Sequence, residues 1–246
     1  MATDAILTLD EIVAGYGKMT ILHGTSFSVA RGAITTMIGP NGAGKSTVFK
    51  TVFGMLPARS GRIAFDGADI TNLSPRQLPT RGISYVPQGR NIFPELSVRH
   101  NLELGAVMAP QDFDLAGRME AAMDRFPALR RRENAQASTL SGGEQKMLEI
   151  ARALLLEPKL MLIDEPSIGL SPILVNELFA ILRGMRDRGI TVLLIEQNAK
   201  RALESSDHGI VLELGRTRIA DTAPKILADP RIGQLFLGGG LAEKVA

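Results

Sequence analysis

The segment GPNGAGKST at residues 39–47 constrains the fold of this 246-residue chain more than any other feature. It matches the phosphate-binding loop pattern, in which glycines, a lysine and a hydroxyl residue hold fixed positions. Such a loop joins a strand to a helix, and here the apolar segments AITTMI (33–38) and TVFKTVFGML (47–56) flank it. The segment therefore predicts an α/β fold with an open parallel sheet, whose ligand lies beyond the carboxyl ends of the strands.

The residue types of the loop indicate a nucleoside triphosphate held with Mg²⁺. Glycines let the backbone turn so that successive N–H groups point at the β- and γ-phosphates. Lys45 adds a mobile positive charge, the Ser46 hydroxyl is a candidate Mg²⁺ ligand, and the helix N-terminus adds its dipole. A glycine-rich surface turn would not account for the lysine and the hydroxyl. The expected nucleotide contacts are Gly39, Asn41, Gly42, Ala43, Gly44, Lys45, Ser46 and Thr47.

A second motif, LMLIDEP (160–166), is an apolar run that ends in two acids. It predicts a buried strand whose carboxyl end faces the ligand, as the strand before the phosphate loop does. Asp164 is then placed to hold the Mg²⁺ shell, and Glu165 to orient or deprotonate an attacking water. The alternative is a strand that ends in solvated acids, which the neighbouring phosphate loop disfavours.

A third motif, LSGGEQ (140–145), precedes residues with helical periodicity. Ser141 and Glu144 have the spacing of a capping box, so the helix is predicted to start at Ser141. Gly142 and Gly143 in its first turn cost roughly 1 kcal/mol each relative to alanine. An ordinary capped helix does not explain these glycines, whereas backbone N–H groups left open to a phosphate do.

In this order, the three motifs resemble those of the nucleotide-binding subunits of ABC transporters, and the similarity covers nearly the whole chain. The resemblance implies a P-loop NTPase fold of the ABC ATPase type, with ATP and Mg²⁺ as ligands. It also implies that Lys45, Glu165 and a switch residue serve catalysis. The switch position holds Gln197 here, where most members carry histidine, and Ser171 replaces an aspartate that is usual in the family.

The same resemblance assigns two further residues and requires other chains. Tyr16, in VAGYGKM, corresponds to the aromatic residue that stacks on adenine, and Gln88, in SYVPQGR, to the glutamine between Mg²⁺ and the membrane partner. In this family two ATPase subunits, identical or different, pair head to tail. ATP then lies between the phosphate loop of one and residues 141–144 of the other. Further implied partners are membrane permease subunits and, indirectly, a periplasmic or extracellular substrate-binding protein.

The pattern along the chain predicts one ABC ATPase domain over residues 1–246. Residues 1–88 and 141–246 are expected to form the α/β nucleotide-binding core, and residues 89–140 an inserted helical subdomain. The helical periodicity within the insertion predicts one apolar face, formed by Leu115, Met119, Ala122, Met123 and Phe126.

Short β-rich segments indicate an N-terminal lobe and a closing hairpin. ILTLDEIV (6–13) alternates, TSFSVA (25–30) follows a predicted His-Gly turn, and ARSGRIAFDGADI (58–70) contains an Asp-Gly hairpin. HGIVLEL (208–214) and the strand after it are predicted to pair around Gly215.

Composition excludes several classes of protein. No run approaches the roughly 18 apolar residues needed to span a bilayer, and MATDAILTL lacks the pattern of a signal peptide. Cysteine is absent, which excludes a disulfide scaffold and fits a reducing compartment. A net charge of +2 argues against a nucleic-acid partner. We expect a cytoplasmic location, peripheral to the inner face of the cell membrane through contact with a separate membrane protein.

Four segments narrow the resemblance: VPQGRNIFPELSVRHNLELG (86–105), DEPSIGLSP (164–172), IEQNAKRAL (195–203) and LADPRIGQLFLGG (227–239). They resemble an ATPase subunit of bacterial branched-chain amino-acid importers, which implies import of these amino acids through a separate permease. ATPases of urea and short-chain amide importers are very similar in all but the tail and stay an alternative. Two other classes of ABC ATPase are also alternatives, namely soluble ATPases of iron–sulfur cluster assembly and ATPase heads of DNA-repair proteins. The insertion is too short for the coiled coils that the DNA-repair heads carry.

Overall fold

The computed structural model describes residues 4–232, in which helices surround two β-sheets. The larger sheet has the spatial order β10 (Arg216–Thr222), β9 (His208–Glu213), β3 (Ile34–Ile38), β8 (Thr191–Ile195), β7 (Leu160–Asp164) and β6 (Ile83–Val86). Neighbouring strands run parallel except at the edge, where β10 is antiparallel to β9. Every residue of β3, β7 and β8 is buried, as expected for central strands covered on both faces. The predicted parallel sheet is confirmed.

The smaller sheet is antiparallel and forms the predicted β-rich lobe. Its spatial order is β2 (Leu22–Ala30), β1 (Ala5–Ala14), β4 (Ala58–Phe65) and β5 (Ala68–Asp69). Asp66 and Gly67 join β4 to β5 with φ angles of 49° and 79°, which is the handedness that a two-residue hairpin requires. Leu214 and Gly215 join β9 to β10 in the same way, with φ angles of 48° and 68°. Both predicted hairpins are confirmed.

The His-Gly turn predicted before the second strand is wrong. His23 and Gly24 lie inside β2, which begins at Leu22. Ile12 of β1 pairs with Thr25, but Val13 pairs with His23, so Gly24 is the extra residue of a β-bulge. Its φ of 81° lies in the left-handed region that glycine enters without a steric cost. The glycine therefore bends a continuous strand and does not end one.

Eight α-helices lie within residues 4–232. They are α1 (Lys45–Val52), α2 (Val98–Glu103), α3 (Leu115–Arg125), α4 (Pro127–Arg130), α5 (Gly142–Leu154), α6 (Pro172–Arg186), α7 (Ala199–Glu204) and α8 (Ala223–Ala228). None of them is long and apolar enough to cross a membrane. Part of the tail LADPRIGQLFLGG lies outside the described residues.

Helices α2, α3 and α4 lie between β6 and α5 in the chain and account for the helical insertion. Four residues of the predicted apolar face are buried, namely Met119, Ala122, Met123 and Phe126. Leu115 is the exception, because it is the first residue of α3 and remains 36% exposed. The predicted face is thus correct except at its N-terminal end.

Two apolar clusters pack on opposite faces of the larger sheet. Successive residues of β7 alternate between them: Leu160 and Leu162 join the cluster with α1 and the smaller sheet, and Met161 and Ile163 join the cluster with α5 and α6. This alternation follows from the two-residue period of a strand. The helices on both faces thereby fix the carboxyl ends of the central strands relative to one another.

Candidate active site

Three neighbouring parallel strands carry most of the predicted site residues at their carboxyl ends. β3 runs into the phosphate loop, β7 ends at Asp164 and precedes Glu165, and β8 precedes Gln197 by two residues. Ile195 of β8 pairs with Met37 of β3 on one side and with Asp164 of β7 on the other. The sheet register therefore brings the three segments to one edge, as the sequence predicts.

The phosphate loop has a backbone that its glycines make possible. Gly42 and Gly44 adopt φ angles of 81° and 102°, in the left-handed region that side chains rarely tolerate. A Cβ at Gly39 would lie 2.1 Å from the carbonyl oxygen of Leu212, so that position excludes any side chain. An open cavity of about 190 Å³ lies at the loop and is lined by Asn41, Gly42, Gly44, Lys45, Ser46, Thr47 and Glu165.

Lys45 supplies the positive charge of this cavity. Its Nζ donates to the carbonyl oxygens of Gly39 at 2.8 Å and Pro40 at 3.0 Å. An ammonium group has three N–H donors, so one remains for a phosphate oxygen. Burial lowers the pKa of Lys45, while the nearby Glu165 and Asp164 carboxylates oppose that shift. The lysine is therefore held in the loop with a donor available to an anion.

Asp164 is suited to a divalent cation. It is buried, and among the residues described its Oδ1 has no hydrogen-bond partner. Its Oδ2 accepts from the Tyr85 hydroxyl at 3.5 Å, and the Ser46 side chain favours the charged form of the carboxyl group. Burial raises the pKa of Asp164, against these two effects. A buried carboxylate oxygen without a partner beside a hydroxyl fits the oxygen ligands that Mg²⁺ requires.

Glu165 has the backbone conformation of a constrained residue. Its φ is 47°, a left-handed value that costs energy in a residue with a side chain, and its N–H donates to the Ile195 carbonyl at 2.9 Å. Its Oε2 accepts from the amide Nε2 of Gln88 at 2.7 Å and from that of Gln197 at 2.9 Å. The structure therefore brings both glutamines to one carboxylate oxygen, and the side-chain oxygen Oε1 of Gln88 remains as an acceptor atom.

The predicted capping box at the start of α5 is present. The Ser141 N–H donates to Glu144 Oε2 at 2.8 Å, and the Glu144 N–H donates to Ser141 Oγ at 3.3 Å. A Cβ at Gly142 would meet open space, whereas one at Gly143 would lie 2.6 Å from a methyl group of Leu174 in α6. Helix packing thus requires the second glycine, and only the first leaves its backbone open. None of these N-terminal residues of α5 lines the phosphate-loop cavity.

Tyr16 follows β1 and lies beside α1. Its ring is 46% exposed, and the Lys50 Nζ of α1 lies 5.7 Å from the ring centroid. An exposed aromatic face next to the phosphate-loop helix agrees with the position expected for an adenine contact.

Comparison with known proteins decides the family. The protein-family model described as ABC transporter matches residues 22–168. The high-affinity branched-chain amino acid transport ATP-binding protein BraG of Pseudomonas aeruginosa is 42% identical over 95% of this chain and 100% of its own length. The chain belongs to the ABC transporter family. The probable branched-chain amino acid transport ATP-binding protein LivF of Archaeoglobus fulgidus is 38% identical, over 92% of this chain and 95% of that protein.

A solved structure has the same fold. The ADP conformation of an ATP-binding cassette from an ABC transporter aligns with a TM-score of 0.85 at 32% identity, covering 96% of this chain and 100% of that chain. The ABC ATPase fold predicted from the motifs is therefore confirmed. As a member of this family, the chain is an ATP-hydrolysing transporter subunit, and its nucleotide is ATP or ADP.

Glu196 is a residue of this ABC ATPase that sequence analysis did not single out. It is 2% exposed, and its carboxylate accepts from the Ser167 N–H at 3.0 Å and from the Ser167 hydroxyl at 2.7 Å. Burial raises its pKa, against these hydrogen bonds. The contact ties the loop after Glu165 to the end of β8, next to Gln197. The signal was present in ITVLLIE, which ends an apolar run in an acid as LMLIDE does.

Proposed function

We propose that this chain is the ATPase subunit of a branched-chain amino-acid importer, working on a separate membrane permease. One observation carries the proposed reaction: Gln88 and Gln197 converge on one oxygen of Glu165, which lines the phosphate-loop cavity. The substrate class rests on likeness to BraG and LivF, whose names state branched-chain amino-acid transport and which match nearly the whole chain.

Nucleotide binding uses the phosphate loop and Tyr16. The third N–H of Lys45 and the backbone N–H groups of the loop, from Gly39 to Thr47, hold the phosphates, and the ring of Tyr16 stacks on adenine. Ser46, Asp164 and the side-chain oxygen Oε1 of Gln88 would hold Mg²⁺, which when bound neutralises developing charge on the phosphates.

In the proposed hydrolysis reaction, one residue accepts a proton and two others orient it. Glu165 accepts a proton from the attacking water, because it is the carboxylate that faces the cavity. Gln88 and Gln197 each donate an N–H to Glu165 and so fix the direction of its free lone pairs. Gln197 has no proton equilibrium near neutral pH, so it orients and does not shuttle protons.

A second ATPase subunit, identical or different, completes each site in this proposal. Its Ser141, Gly142, Gly143 and Glu144 approach the γ-phosphate from the opposite side. The start of α5 supports this arrangement, because it offers a helix N-terminus that lies outside the phosphate-loop cavity of its own chain. Bound ATP joins the two subunits, and loss of the γ-phosphate on hydrolysis lets them separate.

The proposed domain organisation is a single ABC ATPase domain, with a core of residues 1–88 and 141–246 and a helical subdomain of residues 89–140. The region from Gln88 to Leu102 contacts the permease, which places the chain at the inner face of the membrane. A substrate-binding protein takes part indirectly. Phe93 within this region is 50% exposed, as a partner contact requires.

Crosslinking tests the permease contact, since the chain contains no cysteine. Cysteine introduced at Pro94 should crosslink to the permease in membranes, whereas cysteine at Lys225 on α8 should not. Crosslinks that form only from position 225 would place the permease contact at α8 and contradict the proposed contact at residues 88–102.

A transport assay tests the substrate class. The chain, its copurified permease and the substrate-binding protein are reconstituted in vesicles with internal ATP. We expect uptake of labelled leucine, isoleucine and valine, with Glu165→Gln as the inactive control. Uptake of urea or acetamide without leucine uptake would assign the chain to the alternative class of importer.

A further inference from the structure

A group of charged side chains on α5 is not used by the reaction described above. Lys146, Glu149 and Arg152 recur at intervals of three residues, so they share one side of the helix. Lys146 is 7% exposed and Glu149 is 2% exposed. All three contact the segment of residues 89–93, which directly follows Gln88. We call this segment the post-glutamine loop.

The contacts hold the backbone of the post-glutamine loop at two residues. The Lys146 Nζ donates to the Gly89 carbonyl at 2.9 Å and to Glu149 Oε2 at 2.5 Å. The other Glu149 oxygen, Oε1, accepts from the Asn91 backbone N–H at 2.5 Å. A guanidinium N–H of Arg152 donates to the Asn91 carbonyl oxygen. Glu149 therefore binds both the loop and Lys146, and Lys146, one turn earlier in α5, also binds the loop.

The side chain of Asn91 extends this connection towards Gln88. Its Nδ2 donates to the carbonyl oxygens of Pro87 at 3.1 Å and Gln88 at 3.4 Å. Gln88 in turn donates to Glu165 at 2.7 Å. A continuous series of hydrogen bonds thus runs from Glu149 to the carboxylate that accepts the proton in the proposed reaction.

Burial of the Lys146–Glu149 pair strengthens its hold on the post-glutamine loop. Both charges of the Lys146–Glu149 pair are taken out of water, so their attraction is weakly screened and the loss of one leaves the other uncompensated. Surface ion pairs of the helical subdomain differ in this respect, since Arg130 and Glu120 are 39% and 60% exposed. A loop without such an anchor would sample many conformations and hold Gln88 in place for less of the time.

We propose that Glu149, held by Lys146, is a positioning residue that fixes the post-glutamine loop and, through it, the contact of Gln88 with Glu165. The same helix begins at Ser141, so α5 carries the capping box at one end and the loop anchor within its second and third turns. A displacement of α5 by the second subunit would consequently move the loop that bears Gln88. The inference rests on the proposed role of Gln88 at Glu165.

A double-mutant cycle on the full chain tests whether Glu149 acts through Gln88. We expect Glu149→Ala to lower the kcat of ATP hydrolysis about tenfold with KM for ATP within about twofold of wild type. In a Gln88→Ala background, where the positioned group is absent, the same substitution should change kcat less than about twofold. Losses that multiply in the double variant would overturn the proposal.

Conservative and control variants separate positioning from a general loss of stability. Glu149→Gln keeps an oxygen that accepts from the Asn91 N–H but loses the charge that pairs with Lys146, so its kcat should lie between those of Glu149→Ala and wild type. Ile150→Val removes a buried methylene group one residue along α5 and should lower Tm without any coupling to Gln88. If Ile150→Val lowers kcat as much as Glu149→Ala does at a similar Tm, the effect is one of stability and the proposal is wrong.

Hydrogen exchange tests the contact between Glu149 and the post-glutamine loop, here called the loop anchor, without a measurement of activity. The Asn91 amide is protected by Glu149, so Glu149→Ala should speed exchange in a peptide that covers residues 88–93 and leave β8 unchanged. Unchanged exchange in that peptide would refute the anchor. Faster exchange together with a Gln88→Ala variant of normal kcat would keep the anchor and reject the proposed role of Gln88.

Discussion

Two helix N-termini in this chain carry glycines and resemble phosphate sites, but only one of them is capped by side chains of its own helix. At the start of α1, Gly44 is a left-handed N-cap without a side-chain hydrogen bond, and a cavity lies in front of the first turn. At the start of α5, Ser141 is an extended N-cap whose side chain and N–H both pair with Glu144. The first helix start is open to a ligand and the second is capped by its own residues.

The two helix starts also differ in which backbone N–H groups have hydrogen-bond partners. The N–H groups of the first turn of a helix lack partners inside the helix. In the proposed site, a phosphate satisfies those of α1, and Lys45 and Glu165 of the same chain line the same cavity. In α5 the Ser141 hydroxyl oxygen accepts from the first-turn N–H of Glu144, and the Glu144 carboxylate accepts from the N–H of the N-cap Ser141. This hydrogen bond from the Ser141 backbone lowers the pKa of Glu144. In the proposed dimer, the phosphate bound to the other subunit approaches the backbone that Gly142 leaves open.

The largest effect is expected from Lys45→Ala, which removes the cation from the open helix start. We expect ATP binding, measured by calorimetry, to fall below detection, because hydrogen bonds from a charged donor to phosphate are among the strongest available. Lys225→Ala, which removes a lysine that is 70% exposed on α8, is the matched control and should bind normally. Retained ATP binding by Lys45→Ala would mean that the backbone of the phosphate loop binds ATP without the lysine.

Glu165→Gln should keep ATP binding and lower turnover by about 10² to 10⁴-fold, the usual range for loss of a general base. Glutamine is nearly isosteric with glutamate, but it does not accept the proton of the attacking water. Size-exclusion chromatography with ATP and Mg²⁺ should then show an accumulating dimer. Turnover near the wild-type rate would exclude Glu165 as the base.

Ser141→Arg tests the capped helix start. The larger side chain should leave ATP binding by the isolated chain unchanged and reduce hydrolysis by about 10²-fold, because it blocks the approach of the phosphate bound to the other subunit. Ser141→Ala is the control for the lost cap, which costs about 1 kcal/mol of stability. If Ser141→Arg abolished ATP binding by the monomer, the two helix starts of the same chain would form one site, and the head-to-tail arrangement would be wrong.

The same contrast separates what was predictable from what was not. The open helix start is a local arrangement, in which glycine spacing, an adjacent apolar strand and a following helix fix the backbone. Its residues and the acids at the end of β7 were therefore found from sequence. The capping box at Ser141 is equally local and was also found. Each of these features lies within a few residues of the chain that forms it.

Features that depend on distant contacts were missed or misjudged. Resemblance singled out Gln88, but not its hydrogen bond to Glu165, which lies 77 residues further along the chain. Gly143 is required by Leu174 of another helix. The left-handed backbone of Glu165 and the burial of Glu149 have no counterpart in a motif, since tertiary packing imposes them. Gly24 illustrates the same limit, because only the pairing with β1 shows a bulge in place of a turn.

The smallest expected effect concerns Gln197, which follows β8 and donates a hydrogen bond to Glu165 in the phosphate-loop cavity. Because its Nε2 lies 2.9 Å from Glu165 Oε2, it orients the carboxylate. We expect Gln197→Ala to lower kcat about tenfold, as the loss of one hydrogen bond to a charged group predicts. ATP binding should be unchanged, since Lys45 and the loop are intact. A wild-type rate in Gln197→Ala would show that this contact does not serve the reaction.

Gln197→His sharpens this test through pH. A histidine has an ordinary pKa near ~6.5, and the adjacent Glu165 carboxylate favours its charged form and raises that value. Protonated histidine would pair with Glu165 and make it a weaker base, so turnover should fall as pH drops through the histidine pKa and recover above it. Wild type and Gln197→Ala lack this group and should show no such inflection. Steady-state ATPase rates of the three proteins from mildly acidic to mildly basic pH decide the matter, and identical profiles would place residue 197 outside the proton-transfer step.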